Sequence, residues 1–202
     1  MAEEGKRYAA PGIPDHLFER GEVPLTKQEI RSLTLSKLRL QEGQTVLDAG
    51  AGSGGLSVEC ALLIPGGRVF AVERDPDAVK VIRANLEKFG VRNVTVLGGA
   101  ASEVLEGAGL PAQFDRFMIG GSGGELQTII GRAREMLAPG GVIVINCILL
   151  ENLQESLQQL EEEGFTEINY IQAAISRSRR IGGKTALQPL NPVFIISATR
   201  NN

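Results

Sequence analysis

Apolar and polar positions divide most of this chain into short runs of strand length, separated by segments with helical periodicity. The apolar runs cover residues 45–49, 69–72, 94–97, 114–119 and 142–146. Strands that alternate with helices of this length pair in parallel through right-handed crossovers. The pattern therefore predicts an α/β fold with a parallel sheet.

Two helix starts are marked by side chains that can cap free backbone N–H groups. Thr26-Lys27-Gln28-Glu29 has the Thr-x-x-Glu form of a capping box, which predicts a helix whose Ile30, Leu33 and Leu38 face the core. Asp75-Pro76 combines an acidic N-cap with proline at the first helical position. The first of these helices precedes the sheet, and the second follows its second strand.

The end of the chain departs from this alternation. Two β-rich runs, residues 165–173 and 191–199, have no helical pattern between them. They are expected to pair as a hairpin, which inserts an antiparallel strand into the parallel sheet. The prediction is a seven-stranded, mostly parallel sheet in the Rossmann-like arrangement of S-adenosylmethionine-dependent methyltransferases. Residues 12–202 are predicted to form one such domain after a flexible N-terminal tail at residues 1–11.

A glycine-rich turn follows the first predicted strand and precedes an amphipathic helix. The turn contains Gly50, Gly52, Gly54 and Gly55. Glycines allow the backbone to turn tightly and to approach a nucleoside-bearing cofactor where a Cβ would clash. The same residues satisfy the spacing G-x-G-x-x-G, so a nicotinamide or flavin domain is an alternative. Asp48 favours an S-adenosylmethionine enzyme, in which an acid at this place orders the loop and reaches the methionine amino group.

Further cofactor contacts are expected where the second and third strands end. Glu73 closes the second strand, and its two carboxylate oxygens can hold both ribose hydroxyls of either cofactor class. An acid that would meet the adenine amino group is missing after the third strand, where Gly99 stands. Either backbone groups near Gly99 and Ala100 hold the adenine, or the cofactor affinity is lower. Thr26 completes the predicted cofactor-binding set.

Four glycines surround a serine at the end of the fourth predicted strand, in Gly120-Gly121-Ser122-Gly123-Gly124. Bare backbone there would let a large substrate lie close to the donor methyl and would offer N–H groups to its carboxylates. The alternative is a flexible turn in which Ser122 caps the next helix. The segment is therefore a candidate substrate-binding site.

A basic segment lies in the predicted loop between the last two strands. It carries Arg177, Arg179, Arg180 and Lys184, with no acid from residue 176 to residue 189. Arginine binds carboxylates through a planar fork, so a polycarboxylate small molecule fits this cluster. RNA phosphate is a second option, although aromatic residues for stacking bases are nearly absent there. An ordinary solvated loop is the third.

The charge, the cysteines and the apolar stretches of the chain each bear on its class of function. The 202 residues carry a net charge of −3, so no global field attracts nucleic acid, and no nucleic-acid partner is expected. Cys60 and Cys147 lack metal-ligand or disulfide spacing, which predicts free buried thiols, a reducing compartment and no metal site. No apolar stretch is long enough to span a bilayer, and the start does not read as a signal peptide. We expect a cytoplasmic protein without a membrane partner, with His16, its single histidine, at the surface or the substrate rim.

Motifs spread over most of the chain together resemble those of one known family. They are Gly12-Ile13-Pro14-Asp15, the turn that begins at Asp48, Gly120-Gly121-Ser122-Gly123-Gly124-Glu125, Pro139-Gly140-Gly141, Ile148-Leu149-Leu150-Glu151 and Asn191-Pro192-Val193. On these residues the chain resembles the decarboxylating precorrin methyltransferases of corrin-ring synthesis, in the stand-alone form of the anaerobic pathway. The likeness runs from about residue 12 to the end of the last strand.

The resemblance implies methylation of carbon 15 of a cobalt-precorrin macrocycle, coupled to loss of carbon dioxide from the acetate on carbon 12. It also implies S-adenosylmethionine as the donor, a homotetramer, and a separate partner that methylates carbon 5. The acetates and propionates of a tetrapyrrole would account for the basic segment and the glycine-rich cradle. Glu151, after the fifth strand, is the candidate catalytic residue, as a substrate contact or a proton shuttle; equally, it caps the next helix.

Two other functions are compatible with this sequence. A tRNA base methyltransferase has a similar core, but that function predicts an RNA-binding domain or a broad basic face, and the sequence offers neither. A cofactor-binding partner subunit without activity is favoured by the missing acid at Gly99 and disfavoured by Asp48 and Glu73. Binding of S-adenosylmethionine separates this last hypothesis from the enzymes.

Overall fold

A central sheet organises the computed structural model, which describes residues 11–201. In chain order the strands are β1 (Thr45–Ala49), β2 (Arg68–Glu73), β3 (Val94–Gly98), β4 (Phe114–Ile119), β5 (Leu137–Cys147), β6 (Phe165–Ala173), β7 (Ser176–Ile181), β8 (Lys184–Pro189) and β9 (Val193–Arg200). Seven of them form one sheet in the order β3-β2-β1-β4-β5-β9-β6. Strand β9 is antiparallel to both of its neighbours, and the other pairs are parallel. The predicted mostly parallel sheet with one inserted antiparallel strand is confirmed.

Helices cover both faces of the sheet. They are α1 (Gln28–Leu38), α2 (Gly55–Leu63), α3 (Pro76–Lys88), α4 (Ala101–Glu106), α5 (Leu126–Met136) and α6 (Leu150–Glu162). Successive strand residues point to opposite faces, so Val46 packs with α1 and α2, whereas Leu47 packs with α4, α5 and α6. Helix α3 packs with α2 and with the segment before α1. The result is a three-layer α/β arrangement.

The first helix is capped by a residue that the sequence pattern did not indicate. Helix α1 begins at Gln28, and Thr26 makes no capping bond, so the predicted capping box is wrong. The backbone N–H of Gln28 instead donates to Oδ1 of Asp15 at 2.9 Å, and Glu29 pairs with Arg177. The Asp75 cap of α3 is confirmed, because its carboxylate accepts from the backbone N–H of Asp77 at 2.9 Å.

The basic segment is not the predicted loop but a two-stranded antiparallel ribbon. Strands β7 and β8 pair with each other and not with the main sheet, and Gly182 and Gly183 join them with φ of 52° and 80°. Two consecutive residues with positive φ form the tight turn whose twist suits a hairpin, and glycine adopts that conformation without strain. The strands of this ribbon are short and polar, so the hydrophobic pattern did not predict them.

Other expectations concern single residues and the ends of the chain. Cys60 and Cys147 are free and buried, as predicted, and His16 is exposed. No helix among residues 11–201 has the length and apolarity to cross a membrane, and no group of three potential metal ligands occurs in that range. The tail predicted at residues 1–11 lies outside the described residues except for Pro11, which is exposed.

Candidate active site

The carboxyl ends of β1 to β4 surround a cavity of about 350 Å3. Many of the predicted site residues line it, namely Thr26, Gly50, Gly52, Glu73, Gly99, Gly120, Gly121, Ser122 and Gly123. The remaining predicted residues do not line it: Asp48, Gly54, Gly55, Ala100, Gly124, Glu151, Arg177, Arg179 and Arg180. The structure thus brings the glycine turn, the ribose carboxylate and the glycine-serine segment to one place.

The two glycine-rich segments pack backbone against backbone. A Cβ on Gly50, whose φ is 72°, would lie 2.1 Å from the carbonyl oxygen of Gly121. No side chain fits at that distance, so the turn after β1 requires glycine at position 50 for this contact. Ser122 does not cap helix α5, whose N-cap is Glu125, and it faces the cavity instead.

Glu73 orders the turn at the end of β2. One of its carboxylate oxygens accepts from the backbone N–H of Gly52 at 2.8 Å, and the other accepts from the backbone N–H of Asp75 at 3.0 Å. Each oxygen keeps a further lone pair for a ligand, because a carboxylate offers about four acceptor positions. The half-buried carboxylate therefore presents a fixed fork to the cavity.

Asp48 lies beneath the glycine turn and is almost completely buried, with 1% of its surface exposed. Its Oδ2 accepts from the hydroxyl of Ser57 at 2.6 Å, whereas its Oδ1 has no hydrogen-bond partner among residues 11–201. Burial raises the pKa of Asp48 to about 6, the bond from Ser57 opposes that rise, and the charge of Glu73 adds to it. An unpartnered buried carboxylate oxygen favours the approach of a cation.

Gly54 and Gly55 have packing roles. A Cβ on Gly54 would contact Ile82 of α3 at 3.1 Å, and one on Gly55 would lie 2.8 Å from Leu25. Leu25 belongs to the segment before α1, whose residues Pro24 and Thr26 form one wall of the cavity. Glycine at position 55 thus lets this wall lie close to the start of α2.

A second cavity, of about 500 Å3, adjoins the first and shares Pro24, Thr26 and Gly120 with it. Most of its other lining residues are apolar: Leu25, Ile30, Ile148, Ile175, Pro189, Leu190 and Val193. Its polar side chains are Lys27, Asn146 and Asn191, with Cys147 beside them. Two adjoining cavities at one sheet edge provide space for a donor and an acceptor.

Comparisons with known proteins identify the family to which this architecture belongs. The family model described as precorrin methyltransferase domain matches residues 16–200. The chain belongs to the precorrin methyltransferase family. The fold and the family imply methyl transfer with S-adenosylmethionine as donor.

Three relatives illustrate this membership of the precorrin methyltransferases. The cobalt-precorrin-6B C(15)-methyltransferase (decarboxylating) of Salmonella typhimurium is 38% identical over 189 residues, which cover 93% of this chain and 96% of that protein. A Pyrobaculum aerophilum protein, whose name gives the same activity as probable, is 47% identical over 194 residues, with coverage of 95% and 97%. The crystal structure of precorrin-6y C5,15-methyltransferase from Geobacter metallireducens matches with a TM-score of 0.89 and 40% identity, covering 96% of this chain and 100% of that one.

In this precorrin methyltransferase, the cavity contains an acid that the sequence argument overlooked. Gly99 lines the cavity and donates its N–H to the carbonyl of Glu73 at 3.0 Å, while Ala101 rather than Ala100 lines the wall beside it. Glu125 lines the same cavity from the start of α5, and its carboxylate accepts from the hydroxyl of Ser102 at 2.6 Å. Its position directly after the Gly-Gly-Ser-Gly-Gly segment was the available signal.

The three arginines of the basic segment have different surroundings. Arg177 donates to both carboxylate oxygens of Glu29, at 3.0 Å and 2.6 Å, and to Asp15 at 2.8 Å. Its hydrogen bond lowers the pKa of Glu29 below the usual range. Arg179 and Arg180 are exposed on the ribbon, and Arg180 donates to the hydroxyl of Thr185 at 3.2 Å. Arg177 thus attaches the ribbon to α1, whereas the other two face solvent.

Glu151 is exposed in the first turn of α6 and makes no hydrogen bond through its side chain to another described residue. The N-cap of that helix is Leu149, so the capping role considered for Glu151 is not realised. A small cavity nearby, of about 210 Å3, is lined by Leu149 and Asn152 but not by Glu151. The structure therefore places the predicted catalytic residue outside these three cavities.

Proposed function

We propose that this protein transfers a methyl group from S-adenosylmethionine to carbon 15 of a cobalt-precorrin and removes carbon dioxide from its carbon-12 acetate. The observation that carries the proposal is the pair of adjoining cavities, which share Thr26 and Gly120 at the carboxyl edge of the sheet. The names of the relatives from Salmonella and Pyrobaculum support the reaction and the acceptor. A macrocycle is largely apolar, as is the larger cavity.

The residues that line the smaller cavity, and Asp48 beneath its glycine turn, fit this donor. The unpartnered Oδ1 of Asp48 lies beneath the glycine turn and suits the ammonium of the methionine part, and the fork of Glu73 suits the ribose diol. Backbone groups at Gly99 and Ala101 border the place beyond the ribose. When bound, S-adenosylmethionine supplies a methyl group that its sulfonium has already activated.

The protein mainly has to align the two molecules and exclude water. Thr26 and Pro24 line both cavities, so they border the place where donor and acceptor meet. The carbon–carbon bond to the leaving carboxylate breaks as carbon dioxide departs, and its electron pair passes through the conjugated macrocycle to the new bond that carbon 15 forms with the methyl group. Residues that bind the other carboxylates hold the macrocycle in position for both the methyl transfer and the decarboxylation.

A proton should leave Asp48 when the donor binds in mildly acidic solution. Below its pKa of about 6 the buried carboxyl is protonated in the free protein, and a nearby ammonium favours the ionised form. At about pH 5.5 we expect release of roughly two-thirds of a proton on binding, and release of only about a tenth of a proton from Asp48 near pH 7. Calorimetry in two buffers with different ionisation enthalpies measures this release. Asp48→Asn should abolish it, and release that persists in this variant would contradict the assignment.

Lys27 is the cationic side chain of the larger cavity. It is half-buried, and its ammonium forms no ion pair with another described residue. A carboxylate of the macrocycle bound there would gain a charge-assisted hydrogen bond in a mostly apolar environment. Arg179 and Arg180 are proposed as further contacts with the macrocycle. Ile175, directly before β7, and Pro189, the last residue of β8, both line this cavity, so the ribbon begins and ends beside it.

Lys27→Met should raise the KM for the cobalt-precorrin roughly five- to thirtyfold, which corresponds to about 1–2 kcal/mol. The dissociation constant of S-adenosylmethionine should not change, because Lys27 does not line the smaller cavity. Steady-state kinetics and calorimetry measure the two quantities. Lys37→Met, in the last turn of the same helix, is the matched control. An equal rise of KM in both variants would show a general charge effect.

Mass spectrometry tests the proposed reaction directly. The purified protein is incubated with S-adenosylmethionine and cobalt-precorrin-6B, and the product is expected to gain one methyl group and to lose one carbon dioxide. A methyl gain alone would assign the decarboxylation to another protein. No change in a protein that binds the donor would lead to the tRNA alternative, and no donor binding would leave the inactive partner subunit. The homotetramer, the carbon-5 partner and the cytoplasmic location stay predictions.

A further inference from the structure

Three carboxylates line the smaller cavity, those of Glu73, Asp75 and Glu125, and only Glu125 makes no hydrogen bond to a backbone N–H group among residues 11–201. Glu73 and Asp75 both accept hydrogen bonds from backbone N–H groups and so maintain the turns around β2. Glu125 accepts one bond, from the hydroxyl of Ser102 at 2.6 Å. Within residues 11–201 its other oxygen receives no hydrogen bond. This oxygen is therefore available to a ligand of the cavity.

The bond to Ser102 also determines where this carboxylate lies. Glu125 follows β4, which neighbours β1, and a side chain from there would be expected near the end of β1. Ser102 belongs to the first turn of α4, directly after β3. The carboxylate of Glu125 thus reaches the β3 side of the cavity, beside Gly99 and Ala101.

We propose that Glu125 accepts a hydrogen bond from the exocyclic amino group of the adenine, and that Ser102 is its positioning residue. The inference rests on the proposed donor, whose ribose lies at Glu73 on β2, so that its base extends towards β3. An amino group donates and a carboxylate only accepts, which makes the pair complementary. If the base carried a carbonyl oxygen in place of the amino group, two hydrogen-bond acceptors would face each other and no hydrogen bond could form. The acid missing at Gly99 is then supplied from across the cavity.

The test compares two ligands that differ at this atom, S-adenosyl-L-homocysteine and S-inosyl-L-homocysteine. By calorimetry, the unmodified protein should bind the adenosyl compound roughly ten- to hundredfold more tightly. In Glu125→Ala this preference should fall to about threefold or less, because the hydrogen bond that distinguishes the bases is gone. Ser102→Ala should reduce the preference partially, since the carboxylate remains but loses its orientation.

Glu103→Ala is the matched control, because Glu103 neighbours Ser102 on α4 but does not line the cavity. It should retain the full preference for the adenosyl compound. Glu125→Ala with an unchanged preference, even if both ligands bind more weakly, would overturn the inference and would leave Glu125 as a link between α4 and α5. Failure of the unmodified protein to bind either ligand would overturn the proposed donor as well.

Discussion

Arg31→Met is expected to lower the free energy of unfolding by about 3–5 kcal/mol, the usual cost of removing one partner from a buried ion pair. Arg31 is fully buried, and its guanidinium donates to Glu59 at 2.7 Å and to Asp15 at 2.9 Å. It also donates to the backbone carbonyls of Thr26 and Ile13. Without it, the carboxylate of Glu59, 1% exposed, would lack a countercharge.

The replacement of Arg31 should also affect the cavity that is proposed to bind the cofactor. Glu59 accepts from the backbone N–H groups of Gly12 and Ile13, at 2.7 Å and 3.0 Å, so Arg31 and Glu59 together hold the segment before α1. That segment provides Pro24 and Thr26 to the cavity wall. We therefore expect weaker binding of S-adenosylmethionine even at temperatures where the variant is folded.

Urea denaturation and thermal melting measure the effect, which should lower Tm by roughly 6–20 °C for a chain of this length. Arg83→Met is the control, because Arg83 is exposed on α3 and its replacement should change stability by no more than about 0.5 kcal/mol. The double variant Arg31→Met/Glu59→Gln should be less destabilised than the sum of the single changes, since neither charge is then left alone. Strict additivity would contradict the role given to the pair.

The sheet was predictable because its signals are local. Runs such as residues 69–72 are apolar and of strand length, and both of their faces are buried, so their composition alone predicts a strand. The absence of a helical pattern between residues 173 and 191 was sufficient to predict the antiparallel strand. Glycines of the turn and Glu73 were also found, because their spacing from a strand end is fixed by the connection itself.

The polar network was not predictable because its bonds join distant parts of the chain. Asp15 caps α1 from outside the helix, and Arg177 reaches Glu29 from the ribbon. A local pattern at residues 26–29 therefore indicated the wrong cap. The sequence around Arg177 contains no acid, so the acids that Arg177 contacts could not be predicted from it. Glu125 was missed for the same reason, since its partner Ser102 follows a different strand.

Glu73→Ala should weaken the binding of S-adenosylmethionine by about 1–3 kcal/mol, roughly five- to 150-fold in the dissociation constant. The ribose hydroxyls would lose their acceptor. The N–H groups of Gly52 and Asp75 would also lose theirs, at the turn that places the glycines against the ligand. Both losses act on the cofactor, so the KM for the macrocycle should change less than the donor affinity.

Isothermal titration calorimetry measures this affinity, with Glu87→Ala, an exposed change on α3, as the control for removing one carboxylate. Glu73→Gln should retain part of the affinity, because its amide oxygen can still accept from Gly52 or from one ribose hydroxyl. The order of affinities is thus expected to be unmodified protein, Glu73→Gln, then Glu73→Ala. If Glu73→Ala bound the donor as tightly as the control variant, the ribose would have to lie elsewhere in the cavity. The base could then not be directed to Glu125 from β2, so this measurement also tests the geometry on which the adenine contact depends.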